Sequence, residues 1–286
     1  MQTLPHEDGT VIGGFTDHHV HLQLVDHTLL AGSRLGRVVD LGGNPRFVSS
    51  LCSSPDDQSH VRRTSIEFAG AFLTPVGGYP SDRSWAPAGS FREIADRADA
   101  ASAVAEMADA GASRIKVASN STAGPVFDDD MFRAIVGLSA ARGLPVVAHA
   151  EGVGEAQRTV RLGAAILAHA PFTERLSDHE IGEQAASVSW ISTLSIHDEA
   201  ALATAIDNVR RFHAAGGAVL YGTDMGNGPT PVDLNRYEID ALREAGIDGA
   251  DLLRALDPVD PSHPASVRLL LPAGDADPLH AQILKV

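Results

Sequence analysis

The chain is poor in cysteine, lysine, aromatic residues and long apolar runs, and each shortage excludes something. A single cysteine, Cys52, rules out an internal disulfide framework and a multi-cysteine zinc site. No apolar run approaches the roughly 18 residues that cross a bilayer, so no membrane partner is expected. The opening residues, MQTLPHEDGT, have neither a basic leader nor an apolar core. A signal peptide is therefore not expected, and the chain reads as cytoplasmic. Formal net charge is −15 with no basic run, which argues against a nucleic-acid partner. Of 22 basic residues only two are lysine, Lys116 and Lys285.

Other features are well represented. Histidine occurs 13 times, and 44% of the 286 residues are hydrophobic, enough to bury a large core. The length would allow two domains, but α/β barrels of roughly 250 residues are often one. One domain over 1–286 is expected, with a barrel at about 11–270 and a short C-terminal tail. Short apolar or β-branched runs alternate with amphipathic stretches about eight times. The runs predict strands at 11–17, 37–41, 65–74, 113–118, 145–150, 164–169, 189–194 and 218–223. Apolar spacings of three and four predict helices over 128–142, 198–213 and 233–245. Gly111, Gly143, Gly163 and Gly246 stand where helix-closing glycines belong. This alternation predicts a parallel sheet of α/β class, as a (β/α)8 TIM barrel. An open doubly wound sheet is the rival, disfavoured because no Gly-rich dinucleotide fingerprint follows the first strand. The Gly-, Pro- and Ser-rich connection 75–90 would lie on the barrel's C-terminal face, as a plain surface loop or as a substrate wall.

In such a barrel, polar residues at the C-terminal strand ends are the candidates for chemistry. The first strand ends in Asp17-His18-His19-Val20-His21. Alternation puts His19 and His21 on one face, where two imidazoles can share a metal ion. Asp17 shares that face and is suited to orienting a ligand, whereas His18 points the other way. Lys116 sits between Ile115 and Val117 in a predicted buried strand. It either pairs with a carboxylate or snorkels to the rim, or burial leaves it a neutral, nucleophilic amine. A neutral amine can take up carbon dioxide as a carbamate that bridges two metals, which arginine cannot. His149 and His169 end the fifth and sixth strands. Each alone reads as a core histidine, but together at equivalent positions they read as ligands. Asp224, before a Gly-rich turn, is either a turn or N-cap aspartate or a carboxylate that binds metal and takes a proton from water. Together these groups form an N/O donor set for Zn2+ or a similar ion. His19, His21 and Asp224 would serve one ion and His149 and His169 a second, with carbamylated Lys116 between them.

In this order, GFTDHHVHL, IKV, VVAHAEG, LAHAPF and YGTDMG resemble the amidohydrolase superfamily, and Lys116 resembles its two-metal branch of prolidases and imidazolonepropionase-like hydrolases. The resemblance spans about 11–270. It implies that His19, His21, Lys116, His149, His169 and Asp224 are metal ligands and that Asp224 is the general base. The implied cofactors are two Zn2+ ions and a CO2-derived carbamate on Lys116, or one ion if Lys116 is not carbamylated. Relatives often carry a small β-sandwich flanking the barrel. With so few residues before the first strand, it is expected to be absent or vestigial here, with HAQILKV as one strand. Relatives also often have glycine after the sixth-strand histidine, where this chain has Ala170.

The implied activity is metal-dependent hydrolysis of an amide-type C–N bond in a small molecule: a cyclic amide, an N-acyl amino acid or a dipeptide-like compound. Tyr79 and Trp85 are expected as an apolar wall, Arg83 as a carboxylate clamp, and His197 as a substrate contact or a helix-entry residue. The rival activities are a mononuclear deaminase, a lactonase or phosphoester hydrolase, a decarboxylase, and a noncatalytic metal-binding barrel. Assembly into a homo-oligomer is left open.

Overall fold

The computed structural model describes residues 2–6, 8–52 and 63–284. Two short strands, β1 (Leu4–His6) and β2 (Gly9–Gly13), precede β3 (Phe15–Val20) and β4 (Leu35–Asp40). Helix α1 (Pro45–Cys52), β5 (Ser65–Phe68), β6 (Phe72–Pro75) and β7 (Phe91–Ile94) follow. Strands then alternate with helices: α2 (Arg97–Asp109), β8 (Ile115–Asn120), α3 (Asp129–Ala140), β9 (Val146–Glu151), α4 (Glu155–Arg161) and β10 (Ile166–Leu167). The series continues through α5 (Asp178–Ala185), β11 (Ser189–Ile191), α6 (Glu199–Ala214), β12 (Ala218–Leu220), α7 (Arg236–Glu244) and α8 (Gly249–Ala255). It ends with β13 (Arg268–Pro272) and β14 (Gln282–Ile283).

A seven-stranded parallel sheet runs in the order β12-β11-β10-β9-β8-β6-β7, and a three-stranded parallel sheet in the order β3-β4-β5. Backbone bonds run between the segments of the two sheets. Ser113 N–H donates to Phe68 O at 2.9 Å, while His18 N–H donates to Tyr221 O at 2.9 Å and His21 N–H to Met225 O at 2.7 Å. Val20 and Met225 also form an isolated parallel bridge.

The strands fall close to their predicted positions, with informative differences. The predicted strand 11–17 is two strands separated by Gly14, and 65–74 is interrupted at residues 69–71, between β5 and β6. β7 was not predicted; it folds back after the 75–90 connection and lies parallel to β6. The chain ends build a four-stranded antiparallel sheet in the order β1-β2-β13-β14. This small sheet stands where a flanking sandwich was expected to be absent or vestigial. Of the tail HAQILKV, Gln282–Ile283 forms the strand; Lys285 and Val286 lie outside the described residues.

Local chemistry explains the helix boundaries. Asp96, Asp128, Asp198 and Asn235 accept hydrogen bonds from N–H groups in the first turns of α2, α3, α6 and α7. Ser177 and Glu180 form a capping box at α5. All four glycines predicted to close helices have positive φ, from 71° at Gly143 to 105° at Gly163, a conformation that costs other residues more. Among the described residues no helix is long and apolar enough to cross a membrane.

Strand alternation sorts side chains into two apolar layers. Val146, Ala148, Ile115, Val117 and Trp190 pack with helical residues such as Met107, Phe132, Val209 and Phe212. Val39, Leu41, Ala69, Val147, Ala168 and Ile191 form a separate cluster. The register aligns Lys116 with Val147 and with Phe72. The lysine thus shares a face with this smaller cluster, while Ile115 and Val117 face the helices.

Trp190 is fully buried, stacks on Phe212 at 3.8 Å between ring centroids, and donates its indole N–H to Gln184 at 3.0 Å. Trp190→Ala removes a large side chain from the strand–helix layer and leaves the Gln184 amide oxygen without that donor. Urea titration should show a loss of ~3–5 kcal/mol. An unchanged midpoint would mean that this contact does not hold the layer together.

Candidate active site

The cavity opens where β3, β6, β8 and β9 end and has a volume of about 540 Å3. The structure gathers His19, His21, Lys116, His149, His169 and Asp224 along its lining, together with Tyr79, Trp85 and His197. Arg83 does not line it. That side chain pairs with Asp82 at 3.2 Å and lies 5.8 Å from the Tyr79 ring centroid.

Hydrogen bonds fix the imidazole tautomers. His19 Nδ1 lies 2.8 Å from Ala168 O and His21 Nδ1 lies 2.9 Å from Gly42 O. A carbonyl oxygen can only accept, so both Nδ1 atoms carry the proton. In the neutral rings each Nε2 is then a bare lone pair. Both Nε2 atoms face one oxygen, Asp224 Oδ1, at 3.2 and 3.0 Å. His19 Nε2 and Asp224 Oδ1 are buried and have no hydrogen-bond partner. Donor atoms of His19, His169 and Asp224 lie within 4.8 Å of one another. His169 Nδ1 lies 2.8 Å from the Thr193 hydroxyl, fixing the ring of the third ligand candidate.

Burial, reinforced by Lys116, holds His19 well below the usual imidazole range and therefore neutral. Burial does the same to His169, with help from His19 and His149. Burial would also lower His21, but the Asp224 carboxylate outweighs it and raises the value. For Asp224 burial opposes ionisation, and a proton on the facing histidines, His19 and His21, would overcome it and hold the carboxyl well below its ordinary value. His197 is pushed down to about 4, chiefly by burial, and its ring packs on Phe172 at 4.2 Å.

Lys116 is fully buried and its Nζ has no hydrogen-bond partner; the amine lies 5.6 Å from the Phe72 ring centroid. Burial lowers its pKa to about 7 against the pull of Asp224 and Asp40. His149 differs from the other histidines, because its Nε2 lies 3.1 Å from Glu151 Oε2. Its ring is edge-on to His169 at 4.8 Å and stacked on Tyr79 at 5.1 Å.

Asp17 does not touch an imidazole. Its Oδ1 accepts the backbone N–H groups of His19 and Thr223 at 3.0 and 3.1 Å, and its Oδ2 accepts the Thr223 hydroxyl at 2.6 Å. The expected ligand-orienting role is thus exerted through main chain. One carboxylate ties the histidine strand to the residue preceding Asp224. Asp224 has φ 52°, in the left-handed region, where a non-glycine residue is strained. Gly222 lets the two segments approach, since a Cβ there would stand 2.3 Å from Ile191 and 3.2 Å from His19. His18 points away, is buried, and lies 3.5 Å from Asp257.

Several site residues escaped the sequence reading. Glu151 follows His149 by two positions, so the alternation that paired His19 with His21 would have found it. Asp40 ends β4 and is fully buried, accepting N–H groups from Leu22 and Gly42 at 2.8 and 3.0 Å. Glu238 on α7 accepts the N–H groups of Leu194 and Ser195 at 2.9 and 2.7 Å, anchoring the turn that presents Thr193 to His169. Nothing in its helical surroundings marked it.

Solved structures share this architecture. A. niger ochratoxinase superposes with a TM-score of 0.73 at 15% identity, covering 96% of this chain and 82% of that one. A Xaa-Pro dipeptidase gives 0.66 at 17% identity over 86% of this chain and 73% of that one. The chain shares the fold of these structures. A dihydroorotase extends the likeness, with a TM-score of 0.64 and 14% identity over 96% of this chain and 81% of that one. No protein-family model and no curated protein sequence matches the chain. The likeness is therefore one of three-dimensional structure.

The lysine makes a signed prediction for the metal-free protein. Between pH of about 7 and 10.5 the unfolded chain carries a proton on Lys116 that the folded chain has lost. Stability therefore rises with pH through this window, by at most ~1.4 kcal/mol per unit. Urea midpoints of the native protein should rise relative to Lys116→Met between pH 7 and 10; parallel curves would place the lysine in a more polar setting.

Proposed function

We propose that the two parallel sheets close into one (β/α)8 cylinder forming a single hydrolase domain. Its rim would hold divalent metal and cleave an amide-type C–N bond in a small molecule. The observation that carries this reading is the meeting of His19 Nε2 and His21 Nε2 with Asp224 Oδ1, where lone pairs face one another at 3.2 and 3.0 Å. Such an arrangement repels itself unless a cation or a proton stands between. Zinc and similar ions take nitrogen and oxygen donors of this kind. His19, His21 and Asp224 would hold one ion, and His149 and His169 a second. Lys116 would lie between them as a carbamate. The neutral amine would form the N–C bond to carbon dioxide and release a proton, which would turn a buried unpaired amine into an anionic donor.

A bound ion of this kind supplies water acidified to a pKa of about 7 and a polarised carbonyl. The chain's own residues do the rest. Asp224 Oδ2 is held by Asn227 Nδ2 at 2.9 Å, which fixes the orientation of the carboxylate. Asp224 accepts the proton of the attacking water and delivers it to the leaving nitrogen. Asp17 and Thr223 keep that carboxylate in register with the two histidines. Tyr79, Trp85 and Phe172 exclude water from the substrate side.

A one-ion reading has its own observation. Among the described residues only His19, His169 and Asp224 gather within 4.8 Å, and His149 Nε2 is turned toward Glu151 at 3.1 Å. Metal content per chain separates the two: two equivalents that fall to one in Lys116→Ala support the carbamate-bridged pair, and one equivalent in both supports the single ion. Turnover of amide substrates should vanish on chelation and return with zinc. Asp224→Asn should lower it roughly 10²–10⁴-fold with the circular dichroism spectrum intact. Full activity in that variant would remove Asp224 from the chemistry.

A further inference from the structure

The cavity's charge pattern says what kind of molecule it takes. Among the described residues that line it there is no arginine, and its one lysine, Lys116, is fully buried and so out of reach of a substrate's outer end. Arg83, the nearby cation that a carboxylate would need, is already paired with Asp82 at 3.2 Å and sits outside the lining. The charged side chain nearer solvent is acidic. Glu151 is 27% exposed, against 7% for Asp224. Asn120 Nδ2 holds it at 2.7 Å and the Thr122 hydroxyl at 3.2 Å, so it cannot easily swing aside.

The rest of the wall is aromatic. Tyr79 lies on His149, and Trp85 stands 6.0 Å from Tyr79. Trp85 is 41% exposed and lines the cavity. Phe172 closes the side next to His197.

We propose that this cavity selects uncharged, ring-bearing amides and rejects those with a terminal carboxylate. Glu151 sets the charge preference, and Tyr79, Trp85 and Phe172 supply the surface for the ring. A carboxylate brought to this mouth meets a fixed like charge with no arginine or accessible lysine beside it, whereas a neutral polar end meets acceptors and donors it can satisfy. This narrows the substrate class proposed above by removing N-acyl amino acids and dipeptides. It rests on that reading for the bond cleaved but not for the ligand bound.

The test uses zinc-loaded native protein and two hydrolysis-resistant benzyl ketones of equal length, one ending in a hydroxyl and the other in a carboxylate. Binding is read by calorimetry. The hydroxyl ketone should bind about tenfold more tightly or better, and a ring-free methyl ketone with the same hydroxyl end should bind at least about tenfold more weakly than its benzyl counterpart. Glu151→Gln should narrow the hydroxyl-over-carboxylate ratio to about threefold or less, while Arg83→Ala leaves it unchanged. Equal or reversed binding of the pair, binding of neither, a ratio indifferent to Glu151→Gln, or one that shifts in Arg83→Ala would each overturn the proposal. Because the ketones have no scissile bond, a protein that shows the binding preference but cleaves no amide would contradict the hydrolase reading alone.

Discussion

Lone-pair repulsion at the cavity floor is the constraint around which the rest of the site is arranged. Two backbone carbonyls, from Ala168 and Gly42, claim the Nδ1 protons of His19 and His21. That leaves bare nitrogens aimed at a carboxylate oxygen. Left to relax, these groups would rotate apart or pick up a proton. They are held in place by main chain: Asp17 clamps both segments, and Asp224 keeps a left-handed backbone conformation. Strain and repulsion of this kind persist only where the surroundings over-determine them.

The same logic extends outward from these donor atoms. His169 takes its orientation from Thr193, itself in a left-handed conformation with φ 44°. The turn after Thr193 is pinned by the buried carboxylate of Glu238, whose pKa burial raises. A helix on the outer layer thus reaches through to a ring in the cavity by way of one carboxylate and one hydroxyl. Such outer partners commonly matter to a metal centre nearly as much as its ligands do.

Much of this was legible because barrel-like α/β chains write their chemistry at strand ends. The runs before His149 and His169 each read as a strand closing on a polar residue, Lys116 read as a buried strand residue, and all three line one cavity. Period-two alternation separated His19 and His21 from His18, which turns to Asp257 instead. Contacts that depend on distant segments were not legible. Glu238 belongs to a helix whose polar residues look alike in sequence, and its burial is decided by the turn it meets. The strand β7 was missed because FREI is short and its partner lies across a long connection. Arg83 is near the cavity in sequence and in space, but Asp82, its immediate neighbour, takes up its charge.

The small antiparallel sheet has a bearing on how the molecule is assembled. β2 runs into β3 with only Gly14 between them, and β2 is zipped along its length to β13. The histidine-bearing strand is thus anchored by polypeptide more than two hundred residues downstream, and a ribosome must deliver the residues through Pro272 before that anchor exists. Early in synthesis the His19 and His21 rings lack both their Asp224 partner and their mooring. The two rings and the carboxylate they face therefore meet only after the segment carrying Asp224 has been made.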